Sequence, residues 1–149
     1  ARFTARFNRD VAGDDPFSKP FGAEADVVAL SDGRVTGRRG IFAGTAMTLG
    51  ATAALQIGGI TVVVISIRTQ CADPAFFEHL GLDVGKAHAV VVKSRGHFRA
   101  GFEPWFDGSN IYEIDTVGLT SPVLSRWDFN NVPHPSFPFQ PKAEWSMRL

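Results

Sequence analysis

Apolar residues fall along this chain in short runs bounded by glycine, proline and aspartate, a pattern of strands and turns more than of long helices. The most definite run is Ile60–Ile67, with β-branched residues at Ile60, Thr61, Val62, Val63, Val64, Ile65 and Ile67. It follows Ala51–Ile57 across Gly58-Gly59, which predicts a hairpin with a tight turn. Both parities of Ile60–Ile67 are largely apolar, so this strand is expected to be central and covered on both sides. Ala23–Leu30 leads into Ser31-Asp32-Gly33-Arg34-Val35, and Asp-Gly is favoured where a tight turn needs positive φ, so an earlier hairpin is expected there. Between the two, GIFAGTAMTLG (40–50) is punctuated by glycine without a clear period and reads as strand or loop.

Asp73-Pro74 opens AFFEHLGLD, with Asp as N-cap, Pro at the first helical position and Gly81 as the exit. A short helix over about Pro74–Leu80 is predicted. His79 then sits in the last turn, where an imidazole is expected to offset the helix dipole at the surface more than to act as a ligand. Ala89–Val92 is an apolar run flanked by Lys86 and Lys93, and suits a buried parallel-type strand. Ile111–Thr116 forms a further expected strand ending near Asp115, and Val132–Pro141, with Pro133, Pro135, Pro138 and Pro141, an extended strap. Strands interspersed with two short helices imply an α+β fold with a mixed sheet in a single domain.

Upstream, Ala1–Phe21 carries Gly13, Pro16 and Pro20 beside Asp10, Asp14 and Asp15, with Phe3, Phe7, Phe17 and Phe21 spaced through it. It reads as a loop tethering the domain to a preceding one, the alternative being an arm that docks through its rings. The expected organisation is an arm at 1–22, the domain at 23–141 and a tail at 142–149. No internal repeat or low-complexity tract occurs.

Composition narrows the function classes. At 149 residues and 44% hydrophobic content, the chain can bury one ordinary core. Fifteen basic residues balance 15 acidic ones, so there is no net field to attract nucleic acid or an anionic membrane, and neither is an expected partner. No apolar stretch approaches the roughly 20 residues of a spanning helix. ARFTARFNRD lacks the apolar core of a signal peptide, and the chain is expected to begin in mid-protein. Cys71 is the single cysteine, which excludes an intrachain disulfide and fits a reducing cytoplasm. Beside Asp73-Pro74 it reads as a small buried residue closing a strand, not as a nucleophile.

The densest chemistry lies in KSRGHFRAGF (93–102), where Lys93, Ser94, Arg95, His97 and Arg99 follow directly on the Ala89–Val92 run. A helix starting near Ser94, with Ser94 as N-cap, would turn free N–H groups toward a carboxylate or oxyanion, reinforced by the guanidinium groups. The four histidines, His79, His88, His97 and His134, show no HxxxH, HxH or Cys-His spacing, so a zinc site within the chain is not expected. A set of His97, Asp115 and His134 is conceivable, but no spacing argues for it. Trp105, Trp127, His134 and Trp145 read as packing or interface groups.

At this segment the sequence resembles a known family. KSxxHFRA after the VVV run, together with ALSDGR, GGITVVV, TQ..DPAFFEHLGLD, DTVGLTSP and a proline-rich end, is similar to the C-terminal domain of microcystinase C (MlrC) type metallopeptidases. Several separated motifs in one order are far more specific than any one of them. ARFNRD and PFSKPF share the resemblance, whereas PHPSFPFQPKAEW departs from the aromatic and final acidic residue that would follow the prolines.

The resemblance implies a zinc-dependent amidohydrolase acting on peptides, with metal ligands in a larger N-terminal domain outside this chain and no metal held by the chain itself. That domain and the peptide substrate are the implied partners, and the apolar surface facing such a domain is expected to favour self-association when exposed. The matching positions are Lys93, Ser94, His97, Phe98 and Arg99. They put the catalytic roles on His97 and Arg99, and substrate binding on Lys93, Ser94 and Arg95, with Arg95 at a position the pattern leaves open. Arg99 would hold a carboxylate or the developing oxyanion through its planar fork, and His97 would donate a proton to the leaving amine. Alone, the chain is expected to be inactive. The rival expectation is a non-enzymatic binding or assembly module in which the same residues are caps and salt bridges.

Overall fold

Alternation begins at the first residues: Phe3, Ala5 and Phe7 interleave with Arg2, Thr4 and Arg6. In the computed structural model, which describes residues 1–8, 20–115, 123–124 and 128–133, this stretch is a strand, β1 (Arg2–Phe7). It pairs antiparallel with β2 (Phe21–Ser31), Phe7 opposite Phe21 and Arg2 opposite Asp26. The loop expected over Ala1–Phe21 therefore gives way to a sheet edge at its first residues, because period-two alternation finds a partner. Residues 9–19, which hold the prolines and aspartates behind that reading apart from Pro20, lie outside the described part.

Three further short strands precede the hairpin partner: β3 (Arg34–Thr36), β4 (Ala46–Thr48) and β5 (Thr52–Ile57), followed by β6 (Ile60–Ile65). Two sheets result, a four-stranded one ordered β1-β2-β5-β6 and a two-stranded one of β3 and β4. The β5–β6 hairpin forms as expected, closing at Ile57 opposite Ile60 around Gly58-Gly59. Its second strand is at an edge of the sheet, not central, and Ile60 is 66% exposed. Apolar residues on both parities thus mark no two-sided burial here. Among the described residues every pairing is antiparallel, so the α+β class holds and the sheet there is antiparallel where a mixed one was expected.

Asp32-Gly33 turns the chain, but not into a hairpin. Ser31 Oγ accepts from Gly33 N (3.0 Å) and Asp32 Oδ1 from Arg34 N (3.1 Å). Gly33 takes φ +73, and a Cβ on it would meet the Gly50 carbonyl oxygen at 2.0 Å. That close approach needs glycine. β2 is already paired on both sides, by β1 and β5, so the turn delivers β3 to a different partner, β4.

The helix after Asp73 is α1 (Ala75–Glu78), shorter than the predicted 74–80. Asp73 Oδ1 accepts from Ala75 N (2.8 Å), the capping bond foreseen for it. His79 follows as the last residue of the helical turn, half-buried, with Nδ1 2.9 Å from the Ala75 carbonyl oxygen. It engages the helix end as expected, though not at an open surface. The second helix, α2 (Phe98–Phe102), starts four residues after Ser94. Neither Ala89–Val92 nor Ile111–Asp115 is a strand: Val91 is 85% exposed and Tyr112 82%, and among the described residues no strand pairs with either run. Thr116 and the strap beyond Pro133 lie outside the described residues.

The core lies in two clusters. Ala5, Ala25 and Leu55, with Phe7, Val27, Ala53 and Ile57 around them, form one on the four-stranded sheet. Val35, Leu49 and Phe76, with Phe42, Met47, Ile65, Cys71 and Phe77, form the other, joining β3–β4, α1 and the end of β6. All the elements fall within one unit, Ala1–Ile111, and Tyr112–Leu149 forms a second. Among the described residues no helix is long and apolar enough to cross a membrane.

Beside the second cluster lies a charged residue without solvent exposure, Asp73. Its Oδ2 accepts from the backbone N–H groups of Arg38 (2.7 Å) and Arg39 (2.8 Å), while Oδ1 caps α1. Removing it leaves three donors unmatched. Asp73→Ala is expected to cost about 3 kcal/mol or more, and Asp73→Asn less, since an amide oxygen still accepts. Urea denaturation checks both, and a loss below about 1 kcal/mol for Ala would reject this role.

Candidate functional site

The chain between β6 and α1 runs past the second cluster through Gln70, Cys71 and Ala72 to Asp73. Ala72 and Asp73 are fully buried and fix its position. Gln70, just before them, is exposed and faces the KSRGHFRAGF segment. Its Nε2 donates to Ser94 Oγ at 2.6 Å, and its Oε1 lies 3.4 Å from His97 Nδ1. One amide thus ties two of the sequence-predicted site residues together.

The others are placed differently. Lys93 and Arg95 are exposed on an irregular stretch. The Arg99 guanidinium lies over the Phe98 ring, 5.3 Å from its centroid, a cation–π contact that orients it along the helix surface. The expected anion site at a helix N-terminus does not form: Ser94 caps no helix, α2 has only five residues, and His97 precedes it without a side-chain capping bond. Ser94 is engaged by Gln70 instead.

What holds α2 is packing. Its buried face presents Gly101 and Phe102. Phe102 meets Phe77 of α1 edge to face, with ring centroids 6.3 Å apart. Gly101 lies against the main chain just before α1, where a Cβ on it would meet the Ala72 carbonyl oxygen at 2.2 Å. No side chain fits there. The Arg39 guanidinium, next to the N–H bound by Asp73, lies 5.5 Å from the centre of the Trp105 ring. Trp105 is half-buried and packs against Gly85, within the packing or interface role expected for it. Trp127, Trp145 and His134 lie outside the described residues.

Cys71, Asp83 and Asp107 carry shifted pKa values and lie outside the KSRGHFRAGF segment. Burial, with Asp73 nearby, pushes the Cys71 thiol up to about 12 from its ordinary 9.0. The thiolate is the reactive form, so the raised value disfavours Cys71 as a nucleophile; the residue is half-buried, where full burial was expected. On the surface, Asp83 is held below the usual carboxylate range by Lys86 and Gly85 N–H, and Asp107 by the Ser109 hydroxyl and N–H. Both cap 3-10 turns. Among the described residues no three His, Cys, Asp or Glu side chains group as a metal site would require.

Sequence reasoning missed Gln70 as a site residue, although its TQ lies within a motif that carried the resemblance. It also missed Gly101, whose signal was a glycine inside a helix beside an aromatic. A family model described as MlrC C-terminus matches residues 5–131. The chain belongs to the MlrC C-terminal family. The match takes in the second half of β1 and the whole KSRGHFRAGF segment, and stops before the proline-rich end whose sequence departs from the expected pattern. No curated protein and no solved structure matches the chain.

Two outcomes are expected for this MlrC C-terminal domain. Gly101→Ala should destabilise it by about 2 kcal/mol, the range of an overpacked core, read by chemical denaturation; an unchanged midpoint would mean α2 does not need this contact. Cys71 should alkylate with iodoacetamide at pH 8 at least about a hundredfold more slowly than free cysteine, because a raised pKa lowers the thiolate fraction about tenfold per unit. Reaction at the rate of an exposed thiol would contradict the burial.

Proposed function

We propose that this domain assists peptide or amide hydrolysis by a microcystinase C-like zinc metallopeptidase, presenting His97 and Arg99 to a substrate at a zinc site held by the preceding domain of the same protein. The observation that carries the reading is the Ser94–Gln70–His97 chain, which groups the family-like polar segment at an accessible surface. Zinc, when bound in the preceding domain, supplies the Lewis acid that activates water. The chain's own residues have two tasks. Arg99 binds the substrate carboxylate or the charge that develops on the carbonyl oxygen, through a planar pair of donors that a lysine lacks. His97 accepts a hydrogen bond or a proton from the reacting groups and passes that proton on to the leaving amine.

Lys93, Ser94 and Arg95 border the same surface and bind the peptide's polar groups; the domain is inactive without its partner domain. A second reading, a non-enzymatic assembly module, draws on exposed apolar residues of the four-stranded sheet, Phe3, Phe21, Leu30 and Ile60. Kinetics on the intact enzyme separate the two. Arg99→Ala is expected to lower kcat/KM by about 30- to 100-fold, the loss of a charge-assisted bond, with zinc content unchanged and no rescue by Arg99→Lys. His97→Ala should lower kcat by about 100-fold or more. Unchanged turnover in both variants would leave the segment a structural role and favour the assembly module.

A further inference from the structure

Gln70 belongs to no motif role described above, yet its side chain contacts both Ser94 and His97. Its backbone adjoins the buried Ala72-Asp73 step, while Ser94 and His97 come from the irregular stretch and turn before α2. The two ends of a primary amide differ: the NH2 group only donates and the oxygen only accepts. With Nε2 donating to Ser94 Oγ at 2.6 Å, the atom left for His97 is Oε1, 3.4 Å from Nδ1. An acceptor oxygen is matched there only by an N–H. The neutral imidazole must then carry its proton on Nδ1 and leave its Nε2 lone pair open.

We infer that Gln70 is a positioning residue that fixes His97 as the Nδ1–H tautomer, with Nε2 turned outward as the acceptor and the Ser94 O–H free to donate beside it. The inference deepens the proposed function and rests on it for its catalytic meaning. It gives the site a polarity: a substrate N–H or a transferable proton is met at His97 Nε2, and a carbonyl oxygen at Ser94. The opposite amide orientation, with Nε2 toward His97 and Oε1 toward the Ser94 hydroxyl, would demand the other tautomer, so the two arrangements are experimentally distinct.

The test is the pair of side-chain 15N resonances of His97 in the 149-residue chain, recorded at about pH 9. The expected result is a protonated-type signal at Nδ1 and an unprotonated-type signal at Nε2. Gln70→Ala should return His97 to the Nε2–H form preferred by free histidine, and Gln70→Glu, whose carboxylate can only accept, should restore Nδ1–H. Gln70 is exposed, and unchanged backbone amide spectra confirm that each variant folds. An Nε2–H tautomer in the unsubstituted chain, or no change in Gln70→Ala, overturns the inference. In the intact enzyme, Gln70→Ala should lower kcat and leave KM in place, with recovery in Gln70→Glu. A tautomer that follows Gln70 while turnover does not would uphold the positioning and refute the proposed function.

Discussion

A carboxylate taken wholly out of water must be matched by donors, and Asp73 is matched by main chain alone on the three bonds that hold it. Two of these donors belong to the stretch between β3 and β4, the third to the start of α1. One side chain therefore fixes the small sheet to the helix with bonds that no mobile surface residue has to supply. Its neighbours extend the effect. The Ala72 carbonyl sets how close α2 can come, the Arg38 guanidinium pairs with Glu78 of α1, and Arg39 is turned onto Trp105. The exposed Arg38–Glu78 pair adds little by itself, since solvent screens it, but it lies across the same junction.

The larger sheet rests on a different principle. Its strands pair in a register that puts Phe3, Ala5 and Phe7 across from Ala25, Ala23 and Phe21, while Arg2 and Thr4 bond Asp26 and Glu24 on the other face. Small alanines at the centre let neighbouring strands close over one another, and Phe7 stacks on Phe21 at 5.3 Å between centroids. Larger apolar side chains stand at the margin of the face, where Phe21, Leu30 and Ile60 keep more than half of their surface exposed. A sheet finished this way has its polar face satisfied internally and its apolar face only partly covered by its own residues.

How much of this was legible depended on whether the deciding interaction was local. The β5–β6 hairpin was readable because Gly58-Gly59 and the β-branched run after it act over a few residues, and so was α1, whose capping aspartate adjoins it. Asp32-Gly33 carried an equally good local signal and misled, because β2 takes both of its partners from distant sequence. Ala89–Val92 had strand composition without a neighbouring strand, and composition alone does not create one. The family resemblance was legible from the order of several motifs. The Gln70 bridge was not, since it spans 24 residues to Ser94 and 27 to His97 and leaves no periodic trace.

The same distinction explains where the candidate chemistry sits. A five-residue helix such as α2 has too few internal bonds to be stable in water, so its existence depends on Gly101 and Phe102 being accepted by the body of the domain. His97 and Arg99 lie at the start of that helix and share its placement, while Gln70 lies beside the His97 ring and the Phe98 ring beneath the Arg99 guanidinium. A change at Gly101 would move both groups together, whereas a change at Gln70 would alter the proton arrangement of His97 without displacing Arg99. Because Ala72, which meets Gly101, and Gln70 lie two residues apart on the strand-to-helix connection, the buried Asp73 node ultimately sets the frame for both.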